Sequence, residues 1–168
     1  EANGIPSRQV EVRPAIVMAP LRSETILPAT HTNAVVVGDG DVVIVDPGSA
    51  DKEEQEILDM VVRQALGPGG RVLAILLTHQ HSDHIAGVDA ARSRYQAPVW
   101  AHEGVGARVT LDRTLRDGDV IDLPGRHPRR LRAIETPGHS RAHLVFHEET
   151  SRTAIAGDLV SGLGTVVI

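Results

Sequence analysis

Three histidines and one carboxylate fall within six residues at His79-Gln80-His81-Ser82-Asp83-His84. Imidazole nitrogen and carboxylate oxygen are ligands suited to zinc, iron, manganese or nickel, and crowding them this tightly predicts a metal site. The cluster follows Val72 to Leu77, a run without a polar side chain. Two later apolar runs stop in the same manner, at Thr136-Pro137-Gly138-His139-Ser140 and at Ala156-Gly157-Asp158. Strand ends on one edge of a sheet converge, so these loops could meet around one ion or two. Asp46, in the turn Val45-Asp46-Pro47-Gly48, reads either as an acceptor that orients a ligand histidine or as a turn residue only.

The elements that must position these groups follow from hydrophobic pattern. Thr32–Val37 and Asp41–Val45 are rich in β-branched residues and flank Gly38-Asp39-Gly40, which predicts a hairpin. Residues 1–14 read as an edge strand or lead-in, and Ala15–Met18 as a short strand closed by Pro20. A helix is predicted from about Asp51, with acids at its positive end and apolar residues at Ile57, Leu58, Val61, Val62, Ala65 and Leu66; Gly67-Pro68-Gly69-Gly70 stops it. Val72–Leu77 is apolar on both faces and predicts a central strand. Ile85–Tyr95 reads as one helix, Val99–Ala101 as a brief strand, and 103–119 as mixed. Further strands are expected at Val120–Leu123, Arg130–Glu135, Ala142–Phe146 and Thr153–Ala156. Strands, helix, strand, helix and more strands fit sheets covered by helices.

Composition narrows the function classes. The 168 residues are read as one domain, 1–168, and the net charge of −5 argues against a dominant nucleic-acid field. Tyr95, Trp100 and Phe146 are the only aromatics of their kind, too few for a platform that stacks single-stranded bases. There is no cysteine, so disulfides are impossible and any metal is held by nitrogen and oxygen. No apolar run spans a membrane and no signal peptide opens the chain, which makes a cytoplasmic protein the default. The chain starts without Met and stops within the strand-like Thr165–Ile168, and both ends read as cut from something longer. Oligomeric state is not written in the sequence.

Taken together, Thr78-His79-Gln80-His81-Ser82-Asp83-His84, the Thr-Pro-Gly-His-Ser around His139, the Ala-Gly-Asp at Asp158 and the acidic turn at Asp46 resemble the metallo-β-lactamase fold superfamily, in the family's order, from about Thr32 to Ile168. The resemblance implies an α+β fold, a four-layer αββα sandwich, with its C-terminal part missing here. It implies a hydrolase in which His79, His81 and His139 hold one ion, Asp83 and His84 a second, and Asp158 bridges them. Asp83 is also the catalytic carboxylate and Asp46 the group behind a ligand. Two zinc ions are implied, with iron or manganese as alternatives. The family's site takes one more histidine downstream of Asp158, so the second site is expected to be incomplete in this chain.

The branch is read from local similarity. Asp158 stands where zinc β-lactamases often carry cysteine, and His81 disfavours the flavodiiron branch. Thr32–Gly38, Thr136–His143 and Gly157–Thr165 look like the β-lactamase-like protein 2 group, which includes endoribonucleases. The leading expectation is thus a bridging hydroxide attacking a phosphodiester. The glyoxalase II group, with a small thioester substrate, is the nearest rival. A mononuclear iron persulfide dioxygenase using His79, His139 and Asp158, and a metal-poor non-catalytic fragment, complete the alternatives. His143 is a candidate for contacting substrate. His31, His102, His127 and His147 read as surface or packing residues. Arg126, Arg129, Arg130 and Arg132 read as a solvated strand edge before they read as a phosphate track. Ser161–Gly164 reads as a loop that lets backbone approach a ligand.

Overall fold

The computed structural model describes residues 9–160. Its first sheet holds seven strands in chain order: β1 (Val10–Arg13), β2 (Ile16–Arg22), β3 (His31–Val37), β4 (Val42–Val45), β5 (Val72–Leu76), β6 (Val99–Ala101) and β7 (Arg113–Thr114). The first four are antiparallel neighbours, and β4 to β7 run parallel. A second sheet holds β8 (Val120–Leu123), β9 (Arg129–Glu135), β10 (Leu144–Glu148) and β11 (Thr153–Ile155), all antiparallel, in the order β11-β10-β9-β8. Helix α1 (Lys52–Ala65) carries the chain from β4 to β5. The short α2 (Ser82–Ile85) and α3 (Val88–Tyr95) carry it from β5 to β6.

Two cores follow from strand alternation. Ala34, Val36, Val42, Ile44 and Ile75 face Ile57, Leu58, Val61 and Val62 of α1 and Val88 and Ala91 of α3. Val35, Val37, Val43, Val45, Ala74 and Leu76 point the other way, into the space between the sheets. There they meet Ile121, Leu123, Leu131, Ala133, Leu144, Phe146 and Ile155. The expected doubly covered strand is β5, flanked on both sides by parallel partners. Helix, sheet and sheet make three of the four expected layers. Among the described residues no helix covers the outer face of the second sheet.

Several expectations need correction. β2 does not close at Pro20 but runs to Arg22. Within β2, Pro20 lies opposite Asn33 of β3 and the β2–β3 pairing continues past it to Arg22. The expected helix Ile85–Tyr95 is two helices. The Gly87 amide leaves the helical ladder and donates to Pro47 O at 2.8 Å. A Cβ on Gly87 would lie 2.1 Å from that oxygen, so only glycine lets this backbone pass. β7 escaped notice because its two residues are exposed and carry no apolar pattern, although Arg113 lies 4.9 Å over the Trp100 ring. Arg129, Arg130 and Arg132 are not on a strand edge, since β9 lies between β8 and β10, and Arg126 lies in the turn before it. Ser161–Gly164 and Thr165–Ile168 lie outside the described residues.

Parallel strands β4, β5 and β6 all end on one edge of the first sheet, and the β9–β10 connection and the end of β11 lie on the same edge. Leu144 N donates to Thr78 O at 2.8 Å, which ties the two sheets together there. At the opposite edge the β3–β4 turn meets the β8–β9 turn. Gly40 bridges to Gly125, and the Asp39 carboxylate accepts from His127 N at 3.0 Å and pairs with its ring. His127, read as a scattered histidine, is half of this clasp.

Candidate metal centre

The groups singled out by spacing meet at the first of these edges. One nitrogen each from His79, His81 and His139 and one oxygen from Asp158 lie within 4.8 Å of one another. Asp83, His84 and again Asp158 form a second such group. His81 Nδ1 is 3.0 Å from His79 Nε2 and 2.8 Å from His139 Nε2, and His139 Nε2 is 3.5 Å from Asp158 Oδ2. On the other side His84 Nε2 is 3.1 Å from Asp158 Oδ1. The two oxygens of Asp158 therefore face the two groups separately, which is the disposition a carboxylate shared between two cations needs.

Behind these groups stands Asp46, fully enclosed at the end of β4. Its backbone is left-handed at φ 51, a conformation Asp tolerates better than most residues. One carboxylate oxygen accepts from Thr78 N at 2.8 Å. The other accepts from Thr78 Oγ1 at 2.6 Å and lies 2.8 Å from His84 Nδ1. Thr78 Oγ1, having donated its proton to Asp46, accepts from His79 Nδ1 at 3.0 Å. The chain of donors thus places a proton on Nδ1 of both His79 and His84 and leaves the Nε2 lone pair of His79 for an ion.

Electrostatics favour the same protonation at His79. Burial, then the neighbouring His84 and His81, push its pKa down to about 2, so it stays neutral. Burial and His139 lower His81 likewise. Burial also works against a charged His84, but Asp46 and Asp158 outweigh it and raise the pKa to about 10. The hydrogen bond from His84, against the effect of burial, brings Asp158 down to about 2. An ion entering the second group therefore displaces a proton from His84 Nε2. Nitrogen and carboxylate donors in two convergent sets, with no sulfur, fit zinc, iron or manganese.

Two loops are pinned by groups the sequence reading passed over. Ser140 Oγ donates to Gln80 Oε1 at 2.8 Å and accepts from Ala142 N at 3.2 Å, which fastens the His139 loop to the His79–His81 loop. Gly157 has φ +50, and a Cβ there would lie 2.6 Å from Thr78 Oγ1 and 2.9 Å from His143 Nε2. Gln80 and Ser140 lie inside the motifs, yet side chains without metal-ligand chemistry give no signal of a partner 60 residues away. His143 precedes β10 instead of lying in it and is only 1% exposed. It sits behind His79, with ring centroids 5.2 Å apart, and bonds Thr136 Oγ1 at 2.8 Å. An open cleft position for it is corrected: the ring is enclosed, and burial lowers its pKa.

The match to a family model described as the metallo-beta-lactamase superfamily extends over residues 27–167. The chain belongs to the metallo-beta-lactamase superfamily. It is 32% identical over 123 residues to the hydroxyacylglutathione hydrolase of Bdellovibrio bacteriovorus, covering 73% of this chain and 45% of that protein. The hydroxyacylglutathione hydrolase of Xylella fastidiosa is 35% identical over 126 residues, covering 73% and 44%. The chain thus spans less than half the length of these curated relatives. A beta-lactamase domain protein from Burkholderia ambifaria shares the fold, with a TM-score of 0.77 at 21% identity, over 99% of this chain and 62% of that one. No helix among the described residues is long and apolar enough to cross a membrane.

Proposed function

We propose that this chain is the metal-binding part of a thioester hydrolase of the glyoxalase II type, acting on a 2-hydroxyacyl thioester with two zinc ions. The observation that carries this reading is the pair of ligand groups sharing Asp158. His79, His81, His139 and Asp158 would hold one ion, and Asp83, His84 and Asp158 would supply three donors to the other, without the further histidine that the family resemblance leads one to expect. When bound, such ions lower the pKa of water towards neutrality and polarise a carbonyl oxygen. The chain's own residues do the rest. Asp46 and Thr78 fix the tautomers of His79 and His84. Asp83 accepts the proton released as water adds to the thioester carbonyl carbon, and returns it to the sulfur as the C–S bond breaks. Water and thioester thereby give a carboxylic acid and a thiol. A cytoplasmic setting belongs to the same reading, because glutathione thioesters arise where thiols stay reduced.

Two observations move the weight from phosphodiester to thioester. The curated relatives above are hydroxyacylglutathione hydrolases. Three of the four arginines that could have followed a polyanion are engaged. Arg129 reaches Pro14 O and Glu148, Arg130 pairs with Asp122, and Arg132 pairs with Glu149. The test is hydrolysis of S-lactoylglutathione by the zinc-loaded chain, followed at the thioester absorbance, beside RNA and a β-lactam. Turnover of the thioester alone is the expected result. Cleavage of RNA with the thioester untouched overturns the substrate class. Replacing Asp158 by Ala is expected to weaken both ions and replacing Asp83 by Ala the second alone, and zinc binding indifferent to both overturns the site.

A further inference from the structure

The β2–β3 connection supplies a hydrogen-bond relay that ends on Asp83. Thr32 Oγ1 donates to Asp83 Oδ2 at 3.3 Å, and Ser23 Oγ lies 2.8 Å from Thr32 Oγ1. Each hydroxyl has one proton, so with Thr32 donating to the carboxylate, Ser23 donates to Thr32. Ser23 is held in turn by its amide, which donates to Thr30 O at 3.3 Å. Thr32 cannot move away, since it is buried, lies opposite Leu21 in the β2–β3 ladder and is β-branched. Gly48 closes the arrangement. A Cβ there would lie 2.0 Å from Asp83 O and 3.2 Å from Thr32 Cβ, so its bare α-carbon lets the Asp83 backbone reach β3.

Asp83 has two oxygens with different duties. Oδ2 faces Thr32 and lies 3.8 Å from His84 Nε2. Oδ1 stands outside the threonine's grip. A carboxylate held by neither oxygen turns about its terminal torsion, which is broad and roughly two-fold. One that must hold an ion or receive a proton at a defined place loses effectiveness when it turns. Within the metal-binding motifs its neighbour is His84 Nε2, at a distance too long for a hydrogen bond that would fix the carboxylate plane.

We infer that Thr32, itself held by Ser23, is the positioning residue for Asp83, so that the β2–β3 connection belongs to the reactive site. The inference rests on the two-ion thioesterase reading above. It extends that reading to residues which share neither the chemistry nor the sequence neighbourhood of the ligands.

The test uses Thr32→Val, which keeps the shape and removes the hydroxyl, Thr32→Ser, which keeps the hydroxyl, and Ser23→Ala. Stepwise zinc affinity is read by calorimetry on the full chain, with kcat and KM for S-lactoylglutathione alongside. Thr32→Val is expected to weaken the second ion about 10-fold or more, within the range for lost partners behind a ligand, while the first stays within about twofold. Its kcat is expected to fall about 10-fold at constant KM, Thr32→Ser to stay within about threefold of wild type, and Ser23→Ala to fall between. If Thr32→Val binds both ions and turns over like the parent, Thr32 is not a positioning residue and the function stands. If the parent chain binds one ion only and hydrolyses no thioester, the functional reading falls and takes this one with it. Should circular dichroism show Thr32→Val unfolded, Thr32→Ser against Ser23→Ala decides: equal second-ion affinities in these two overturn the relay.

Discussion

Replacing Asp46 by Asn exchanges one carboxylate oxygen for an NH2 and should disable both halves of the site. The carboxylate accepts from three donors, Thr78 N, Thr78 Oγ1 and His84 Nδ1, at 2.6–2.8 Å. An asparagine keeps one acceptor, which the rigid Thr78 amide claims. Its NH2 then faces Thr78 Oγ1 and His84 Nδ1. The threonine hydroxyl must turn its proton towards His79 Nδ1, which drives the His79 proton onto Nε2, and His84 is driven the same way. Both Nε2 lone pairs needed by the ions are lost. Losing a partner behind a ligand costs roughly 10–100-fold in metal affinity, and here two ligands are struck at once, so about 100-fold is the expectation. The apoprotein also loses the anion beside a buried, charged His84. Breaking a buried pair costs about 3–5 kcal/mol, a large share of the roughly 5–15 kcal/mol that holds a domain together. The assay is zinc competition against a chromophoric chelator, with urea unfolding of the metal-free chain. Folded Asp46→Asn protein that binds zinc within about threefold of the parent would refute the tautomer argument.

Three further outcomes are expected. Gly87→Ala should lower stability by about 2 kcal/mol or more in urea unfolding, because its Cβ would meet Pro47 O at 2.1 Å in a packed interior. Ser140→Ala should weaken zinc several-fold while moving the unfolding midpoint little, since it unties the His139 loop from Gln80 without opening a cavity; unchanged zinc affinity rejects that role. Glu148 is buried and accepts from Thr150 N, Ser151 N and Ser151 Oγ; burial raises its pKa, but these bonds outweigh it and set a net lowering. A carboxyl whose folded pKa is lowered stabilises above its unfolded pKa, and loses that contribution as pH falls through the folded value. Glu148→Gln should therefore cost about 1–3 kcal/mol at pH 7, and less on acidification below the ordinary glutamate range, as measured by urea unfolding at both pH values.

The convergence of the candidate metal-binding residues was legible because their chemistry is rare and their spacing dense, and because each cluster closes an apolar run. The hairpin β3–β4, the helix α1 with Asp51 as its N-cap, and the central β5 were legible from pattern alone. What stayed hidden depends on contacts distant in sequence. The break at Gly87 is set by Pro47, 40 positions earlier, and a glycine in a helical pattern gives no hint of it. Thr32, Thr78 and Ser140 are ordinary hydroxyl residues whose partners are known only once loops converge. Asp46 was ambiguous because turn formation and hydrogen bonding use the same residue type. The arginine run misled because Arg129, Arg130 and Arg132 sit on an inner strand, where carboxylates on or just beyond the neighbouring strands pair their charges while Arg130 and Arg132 stay open to solvent.

The clasp at the opposite edge, where Asp39 holds the amide of His127 and Gly40 meets Gly125, has a practical consequence. It joins the two sheets at the end remote from every ligand, and the chain has no native thiol. A cysteine introduced at exposed Arg126 would be the sole attachment point for a dye or spin label. Such a label would report on whether the clasp stays closed while metal is added or removed at the opposite end.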